Sequence, residues 1–258
     1  MKILSLNLWG GKLYDELSGF IRKQSASVDV FCFQEMFDQK ELPVNWSTGT
    51  PDLYSRFKKI LGDFTPFITM SYNRYAPFND GNSNNGLKEA IFVRKQLKAI
   101  ESGSIELCKR VRDSMFEGMP FRHYPKLQYV ILENNGEKIL VANVHGIWIK
   151  GSRNDCEERT EQSDSIIQFM EDRPYKRILC GDFNYTLNTE CNAIIEKKFT
   201  NLIRKNNIAS TRSSYYKSLG EGDTFADYVY VSKGMKVENF EVLNAAVSDH
   251  LPLKIEIR

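Results

Sequence analysis

Polar and ionisable residues gather where the apolar runs of this chain end. Asn7 closes L-S-L-N, Gln34 and Glu35 follow V-F-C-F, and Asn143 and His145 close V-A-N-V-H. Asp182 and Asn184 follow I-L-C-G, and Asp249 and His250 precede the last apolar run. Carboxylates, amides and imidazoles exchange protons and hydrogen bonds, and their oxygens suit hard cations. In extended backbone residues two apart share a face, so Asp182 projects with Asn184, and Asn143 with His145. One acid at a strand end is an ordinary turn residue. Five such clusters in order along one chain mark a rim of sheet ends, where active sites of open sheets lie. Only three histidines occur, His123, His145 and His250, and two fall in these clusters. The five cysteines (Cys32, Cys108, Cys156, Cys180, Cys191) include no C-x-x-C pair that would hold zinc or run dithiol chemistry.

Periodicity shows the elements that must position these residues. Leu4, Leu6 and Leu8 alternate with Ser5 and Asn7, the period of a half-buried strand. Leu13, Leu17, Phe20 and Ile21 recur at helical spacing, and residues 28–33 form an apolar strand, giving a strand–helix–strand opening. Between Pro43 and Asn85 the pattern loosens around Pro51, Pro66 and Pro77, and N-D-G-N-S-N-N-G reads as a loop or lid before strand-like residues 90–93. Residues 126–133 and 137–144 are strands joined through N-N-G, a hairpin signal. Ser163, Ile166, Ile167 and Met170 mark a helix over about 155–172, with Pro174 as its stop. Strands at 177–181, 227–232, 237–243 and 253–257 and a helix near 189–197 complete the pattern. Strands and helices mixed without a boundary predict one layered α/β domain over residues 1–258.

L-N-L-W-G, F-Q-E, N-V-H-G, G-D-F-N, A-D-Y-V-Y-V-S and S-D-H-L-P-L follow one another along nearly the whole chain. In these motifs and their order the sequence resembles the endonuclease/exonuclease/phosphatase superfamily, which cleaves phosphate esters with a divalent metal. The resemblance implies a two-sheet β-sandwich flanked by helices, a four-layer α/β/β/α deoxyribonuclease-like fold with its site at one mouth. It implies Glu35 as principal metal ligand, with Asn7 and Asp249 nearby. Asp182 would orient or deprotonate the attacking water, and Asn184 would hold the phosphate and that aspartate. His250, steadied by Asp227, would bind a phosphoryl oxygen, and His145 matches the histidine of branches resembling deoxyribonuclease, sphingomyelinase and inositol phosphatase. Arg159 and Gln162 resemble a recurrent R-x-x-Q whose arginine ties a helix to nearby loops. The abasic-DNA repair branch carries an aspartate two residues after the first-motif asparagine; here that residue is Trp9, which argues against abasic-site repair and a second metal site.

Elementary electrostatics agrees with these roles. Glu35, Asp182, Asp227 and Asp249 together would repel an anionic substrate unless a cation offset them. Oxygen donors favour Mg²⁺, with Mn²⁺ able to substitute, over zinc. Such a metal would polarise the phosphoryl oxygen and stabilise the leaving oxygen. Two further residues are candidates for substrate binding. Arg212, in S-T-R-S-S-Y-Y, could grip a phosphate bidentately, and the ring of Trp9 either packs in the core or walls the cleft.

With 41% apolar, 12% aromatic and 26% charged residues, the 258-residue chain can bury a sizeable core, which excludes a disordered, collagen-like or coiled-coil protein. No apolar run approaches the roughly 18 residues of a membrane span, and the N-terminus lacks a signal-peptide pattern. An odd number of cysteines, two of them in apolar runs, favours a reducing compartment. The expectation is a cytoplasmic monomer without stable membrane insertion. Thirty-five basic against 33 acidic residues leave a net charge of +2, too little for a long electrostatic footprint on duplex DNA. Tyr215 and Tyr216 offer ring faces to an unpaired base, and loops at 79–85 and 210–216 could narrow the cleft. The sequence therefore predicts a Mg²⁺-dependent phosphodiesterase, a nuclease on nucleic-acid or nucleotide-like substrates, favouring single-stranded ends or short oligonucleotides. The alternatives are a phospholipid (sphingomyelinase-like) or inositol-phosphate hydrolase on the same scaffold, and a catalytically inactive binding relative.

Overall fold

A computed structural model describes residues 1–38, 49–70, 72–73, 87–109, 113–116, 119–123, 125–134, 136–217 and 224–258, with backbone alone at 72–73, 113–116, 119–123 and 134. The chain opens with β1 (Lys2–Asn7), a 3₁₀ turn (Trp9–Gly11), α1 (Tyr14–Ser25) and β2 (Val30–Phe37). It continues through α2 (Leu53–Ile60), β3 (Phe64–Met70), β4 (Tyr72–Asn73), β5 (Leu87–Arg94) and β6 (Lys98–Glu106). Next come β7 (Asp113–Phe116), β8 (Met119–His123), β9 (Lys126–Asn134), β10 (Glu137–His145), α3 (Glu157–Glu171) and β11 (Lys176–Asp182). α4 (Glu190–Glu196), β12 (Phe199–Asn201), α5 (Leu202–Lys205), β13 (Asp227–Ser232), β14 (Val237–Val242) and β15 (Leu253–Ile257) follow.

Two six-stranded mixed sheets result, in the orders β14-β15-β1-β2-β5-β3 and β12-β13-β11-β10-β9-β6, with a small sheet β4-β8-β7 beside them. Each large sheet contains one parallel pair, β1 with β2 and β10 with β11. A parallel pair needs a crossover, and α1 and α3 supply them. Alternation along the strands assigns the layers. Leu4, Leu6, Phe31 and Phe33 pack with Leu17 and Ile21 of α1 and Leu53 and Phe57 of α2. Their neighbours Ile3, Val30 and Cys32 pack instead with residues of the second sheet such as Val141 and Ile178. Helices on the outer face of each sheet make the four layers.

The first strand departs from the half-buried expectation. Ser5 and Asn7 face the opposite sheet and are buried, so both faces of β1 are covered. Gln34 donates to Asn143 Oδ1 across the sheets at 2.6 Å, and Asn143 donates to Phe33 O at 3.0 Å, which offsets part of the cost of burying these amides, although Gln34 Oε1 has no partner among the described residues. α2 and β3 lie where the sequence pattern loosens. Pro51 and Pro66 read as punctuation, yet Pro66 sits inside β3, which is an edge strand, where a missing N–H is tolerated. β6 is also an edge strand, mostly exposed, and so carries no apolar alternation to betray it. The expected loop or lid at 79–86 lies outside the described residues.

Candidate active site

The strand ends bring the predicted residues to one mouth between the sheets. In the second sheet His145, Asp182 and Asp227 form a lateral row, because His145 pairs with Asp182 and Asp182 with Asp227. From the first sheet come Asn7 at the end of β1, Glu35 near the end of β2, and Asp249 and His250 just before β15. Glu35 reaches this mouth through a bulge. Simple alternation would align it with Phe31 and Phe33, under the helices. The register of β2 on β5 shifts between Phe33 and Met36, and Glu35 takes φ 57°, so Gln34 and Glu35 both turn toward the second sheet.

The close approach of the β10 and β11 ends depends on two glycines. Gly181 has φ 133°, and a Cβ there would collide with Val144 O. A Cβ on Gly146 would fall 2.5 Å from Phe183 O. With both residues lacking side chains, Gly146 N donates to Asp182 O at 2.6 Å, and Asn184, at φ 58°, folds back so that its N–H donates to Asp182 Oδ1 at 2.9 Å.

Two histidine–carboxylate pairs flank Asp182. Nδ1 of His145 lies 3.2 Å from Glu89 Oε1, while its Nε2 lies 3.6 Å from Glu35 Oε1 and 4.0 Å from Asp182 Oδ2. Nδ1 of His250 meets both oxygens of Asp227, at 2.9 and 2.8 Å, and its Nε2 lies 3.7 Å from Asp182 Oδ2. Arg212 Nη1 also contacts His250 Nε2. Arginine has only donors, so Nε2 accepts in this arrangement and Nδ1–H donates to Asp227. Arg212 is buried, its guanidinium lies 4.2 Å from the Tyr216 ring centroid, its nearest carboxylate is Asp249 at 3.9 Å, and its Nε has no partner. An antiparallel bridge between Arg212 and His250 fixes this segment to the turn that carries His250.

The charges are strongly interdependent. Burial opposes ionisation of Asp182, but His250, Arg212, His145 and Arg153 outweigh it and bring its pKa down to about 2. Burial likewise opposes a charged His145, yet the Glu89 hydrogen bond and the charges of Glu35, Glu89 and Asp182 raise it to about 9. For His250, burial and Arg212 work downward, and Asp227, Asp249 and Asp182 prevail, raising its pKa.

The carboxylates and imidazoles together could hold a divalent cation. Glu35, His145 and Asp182 offer ligand atoms within 4.8 Å of one another, as do Asp182, Asp227 and His250. Asn7 Nδ2 donates to Glu35 Oε1 and to Asp182 Oδ2, each at 3.1 Å, so an amide N–H stands between two carboxylates, where positive charge is welcome. Asn7 Oδ1 accepts from Trp9 N at 2.9 Å, which sets the amide orientation. Asp249 lies beside His250 and Arg212 and outside both groupings. Trp9 is half-buried at the rim, its ring 6.4 Å from that of Tyr215, with Lys12 Nζ 4.4 Å from its centroid. It belongs to neither apolar cluster of the described residues. Tyr216 backs Arg212, so Tyr215, 45% exposed, is the tyrosine left to meet a ligand ring.

Three contributors escaped the sequence reading. Glu89, fully buried within L-K-E-A-I-F-V, has no local signal except the oddity of an acid in an apolar strand. Arg153 sits in the loop after β10 and donates to Asn184 Oδ1. Thr211 accepts from the N–H groups of Ala226 and Asp227 at 3.1 and 3.2 Å and so sets the start of β13. Arg159 behaves as its motif implied: fully buried on α3, it donates to the carbonyls of Ile147, Ser152 and Asn154, while Gln162 Oε1 accepts from Ile147 N at 2.8 Å. Together they hold the loop that carries Arg153.

A model of the Endonuclease/Exonuclease/phosphatase family matches residues 4–250. Among solved structures, a mannosyl-6-phosphatase from Bacteroides thetaiotaomicron is similar at TM-score 0.73 and 17% identity, over 100% of this chain and 99% of that one. A functionally unknown conserved protein from Enterococcus faecalis is similar at TM-score 0.68 and 21% identity, over 100% and 99%. The human nocturnin catalytic domain is similar at TM-score 0.67 and 18% identity, over 99% and 92%. At these identities the likeness is one of fold. No curated protein matches the sequence.

Proposed function

Because this chain belongs to the endonuclease/exonuclease/phosphatase family of phosphoester hydrolases, we propose that its cleft hydrolyses phosphoesters by direct attack of water, with nucleic-acid ends and nucleotide-like esters as favoured substrates. One observation carries this reading. His145 and His250 place Nε2 4.0 and 3.7 Å from Asp182 Oδ2, with Arg212 on His250 and Arg153 on Asn184 beside them, so donors for a phosphoryl group surround a carboxylate able to hold water. Glu35 and Asp182 would hold a divalent cation, Mg²⁺ or Mn²⁺ by the hardness of these donors, which would offset the acids and polarise the phosphoryl oxygen when bound.

Asp182, with a pKa of about 2, is a weak proton acceptor. Its part is to orient the attacking water as a hydrogen-bond acceptor, with Asn184 N–H fixing its other oxygen. One Nδ2–H of Asn184 goes to Gly146 O at 3.0 Å, which leaves the second for the phosphate. His145, backed at Nδ1 by Glu89, donates its Nε2–H to charge building on the phosphoryl oxygens. An anion entering between Arg212 and His250 takes a hydrogen bond from each, and the raised His250 pKa favours the proton that Nε2 then needs. Water adds to phosphorus, the ester P–O bond breaks, and the leaving oxygen departs as the alcohol with one proton from the water.

The nuclease reading draws support from the rim. Trp9 and Tyr215 form an aromatic ledge suited to a ring on the leaving group. No helix among the described residues is long and apolar enough to cross a membrane. None of the five cysteines forms a disulfide and four of them are buried, which supports the reading of a reducing, cytoplasmic setting.

The test is a substrate panel with Mg²⁺, with Mn²⁺ and in chelator, spanning single- and double-stranded DNA, RNA, nucleotides, sphingomyelin and inositol phosphates. Activity should vanish with chelator and return with either metal. Full activity in chelator would falsify the mechanism. Turnover of a lipid headgroup or an inositol phosphate alone transfers the site to the phospholipid or inositol-phosphate reading. No turnover of any substrate identifies an inactive binding relative.

A further inference from the structure

Glu35 reaches the mouth only because β2 bulges, and one side chain of the opposite sheet bonds to that bulge at two points. Asn143 Nδ2 donates at 3.0 Å to the carbonyl of Phe33, the last residue before the register shifts. Asn143 Oδ1 accepts at 2.6 Å from Nε2 of Gln34, the first residue inside the shift. Gln34 Nε2 also donates to Cys32 O at 3.3 Å, and Gln34 O accepts from Leu8 N at 3.0 Å. Glu35 is the next residue along the chain.

Two influences act on Glu35, and only one of them is specific. Simple alternation would leave its carboxylate beside Phe31 and Phe33 under the helices, where an unpaired charge is costly. That cost drives Glu35 out of the apolar layer without fixing where it goes. A φ of 57° is unfavourable for a residue that carries a Cβ, so the bulge persists only where its surroundings hold it. The two bonds from Asn143 are such a hold. Asn143 is fully buried, and its amide is oriented in turn by Gln128 of β9. Its Nδ2 lies 3.4 Å from Gln128 Oε1, while Gln128 Nε2 donates at 2.9 Å to Phe67 O in the first sheet.

The strand that carries Asn143 also carries His145 two residues on, in register with Asp182. One amide therefore joins β10, which aligns His145 with Asp182, to the bulge that bears Glu35. It spans the gap across which His145 Nε2 and Glu35 Oε1 come to 3.6 Å, and across which Glu35, His145 and Asp182 gather their ligand atoms within 4.8 Å. We propose that Asn143, acting through Gln34, is a positioning residue that sets the spacing of the cation-binding carboxylates Glu35 and Asp182 across the two sheets. This inference rests on the metal reading above and deepens it.

The test measures binding of Mn²⁺ alone by electron paramagnetic resonance, at a temperature well below every melting midpoint. The proteins are the full chain as wild type, Gln34→Met, Asn143→Leu and the double variant Gln34→Met/Asn143→Leu, each with a thermal melt. Removing one partner leaves the other amide unsatisfied, whereas removing both leaves an apolar contact of similar size. The single variants should therefore melt lower than wild type, and the double variant should regain much of the loss. Mn²⁺ affinity should not follow stability. It should be about 10–100-fold weaker than wild type in all three variants, the usual loss when a group behind a metal ligand is removed. Wild-type affinity in the double variant, or affinity that returns in step with the melting temperature, would overturn the proposal and leave Asn143 a packing residue. If the double variant does not fold, Gln34→Met, which keeps the bond from Asn143 to Phe33, is judged by the same affinity. A wild type that binds no Mn²⁺ is a different result: it strikes the metal reading itself, and this proposal with it.

Discussion

Asp182 is ionised at a cost in desolvation that His250, Arg212, His145 and Arg153 outweigh, and the same neighbours make it a poor base. Its contribution is therefore charge and orientation, which an amide of equal size cannot supply. Asp182→Asn should lower kcat by about 10²–10³-fold while KM stays within a few-fold, because His145, His250 and Arg212 still meet the phosphate. Steady-state kinetics at saturating Mg²⁺ checks this, and a variant within a few-fold of wild-type turnover refutes the assignment. Residue identity alone does not set these roles. His145 and His250 are chemically equal, but one has Glu89 behind it and the other Asp227 behind it and Arg212 in front.

At the scale of elements, β10 and β11 place the site by running close together past their last residues. Gly181 lies at φ 133° with no room for a Cβ against Val144 O. Gly181→Ala should cost about 4 kcal/mol or more, lowering Tm by roughly 10 °C. The control is Gly19→Ala in α1, where a Cβ meets nothing within 4 Å. Removing glycine from an exposed helix interior should raise stability by up to about 1 kcal/mol. Thermal melts of the two variants decide the matter, and a Gly181→Ala shift under about 2 °C would mean that the strands move apart without difficulty. The bulge in β2 is the other element-level device. It sends two consecutive side chains to the same face, so Glu35 reaches the mouth and Gln34 the inter-sheet network.

For the whole molecule, the charge balance sets how a polyanion is met. A net charge of +2 gives little counterion release. A protein making 6–10 phosphate contacts loses about 10³–10⁵ in affinity between 50 and 200 mM salt. Here kcat/KM on short single-stranded oligonucleotides should fall no more than about tenfold over that range, and should exceed that on matched duplexes. A clear duplex preference that collapses with salt would show an extended basic footprint formed by the fold, and would remove the aromatic ledge of Trp9 and Tyr215 from its place in recognition.

The sequence by itself determined which residues stand at strand ends and in what order. The limits of β13 and β15 and the β9–β10 hairpin were legible too, because local periodicity and turn chemistry are written in neighbouring residues. The family followed from motifs spread over the chain, each short and local. Tertiary structure alone decided which faces meet. Nothing near Glu89 indicates that an acid in an apolar strand will lie against His145, 56 residues away. Nothing near Arg153 points to Asn184, and alternation placed Glu35 on the wrong side of β2 until the bulge turned it. Buried charge explains the difference. A carboxylate or guanidinium is tolerated inside only when a partner arrives, and in this fold the partner comes from the other sheet or a distant loop, which no window along the chain contains.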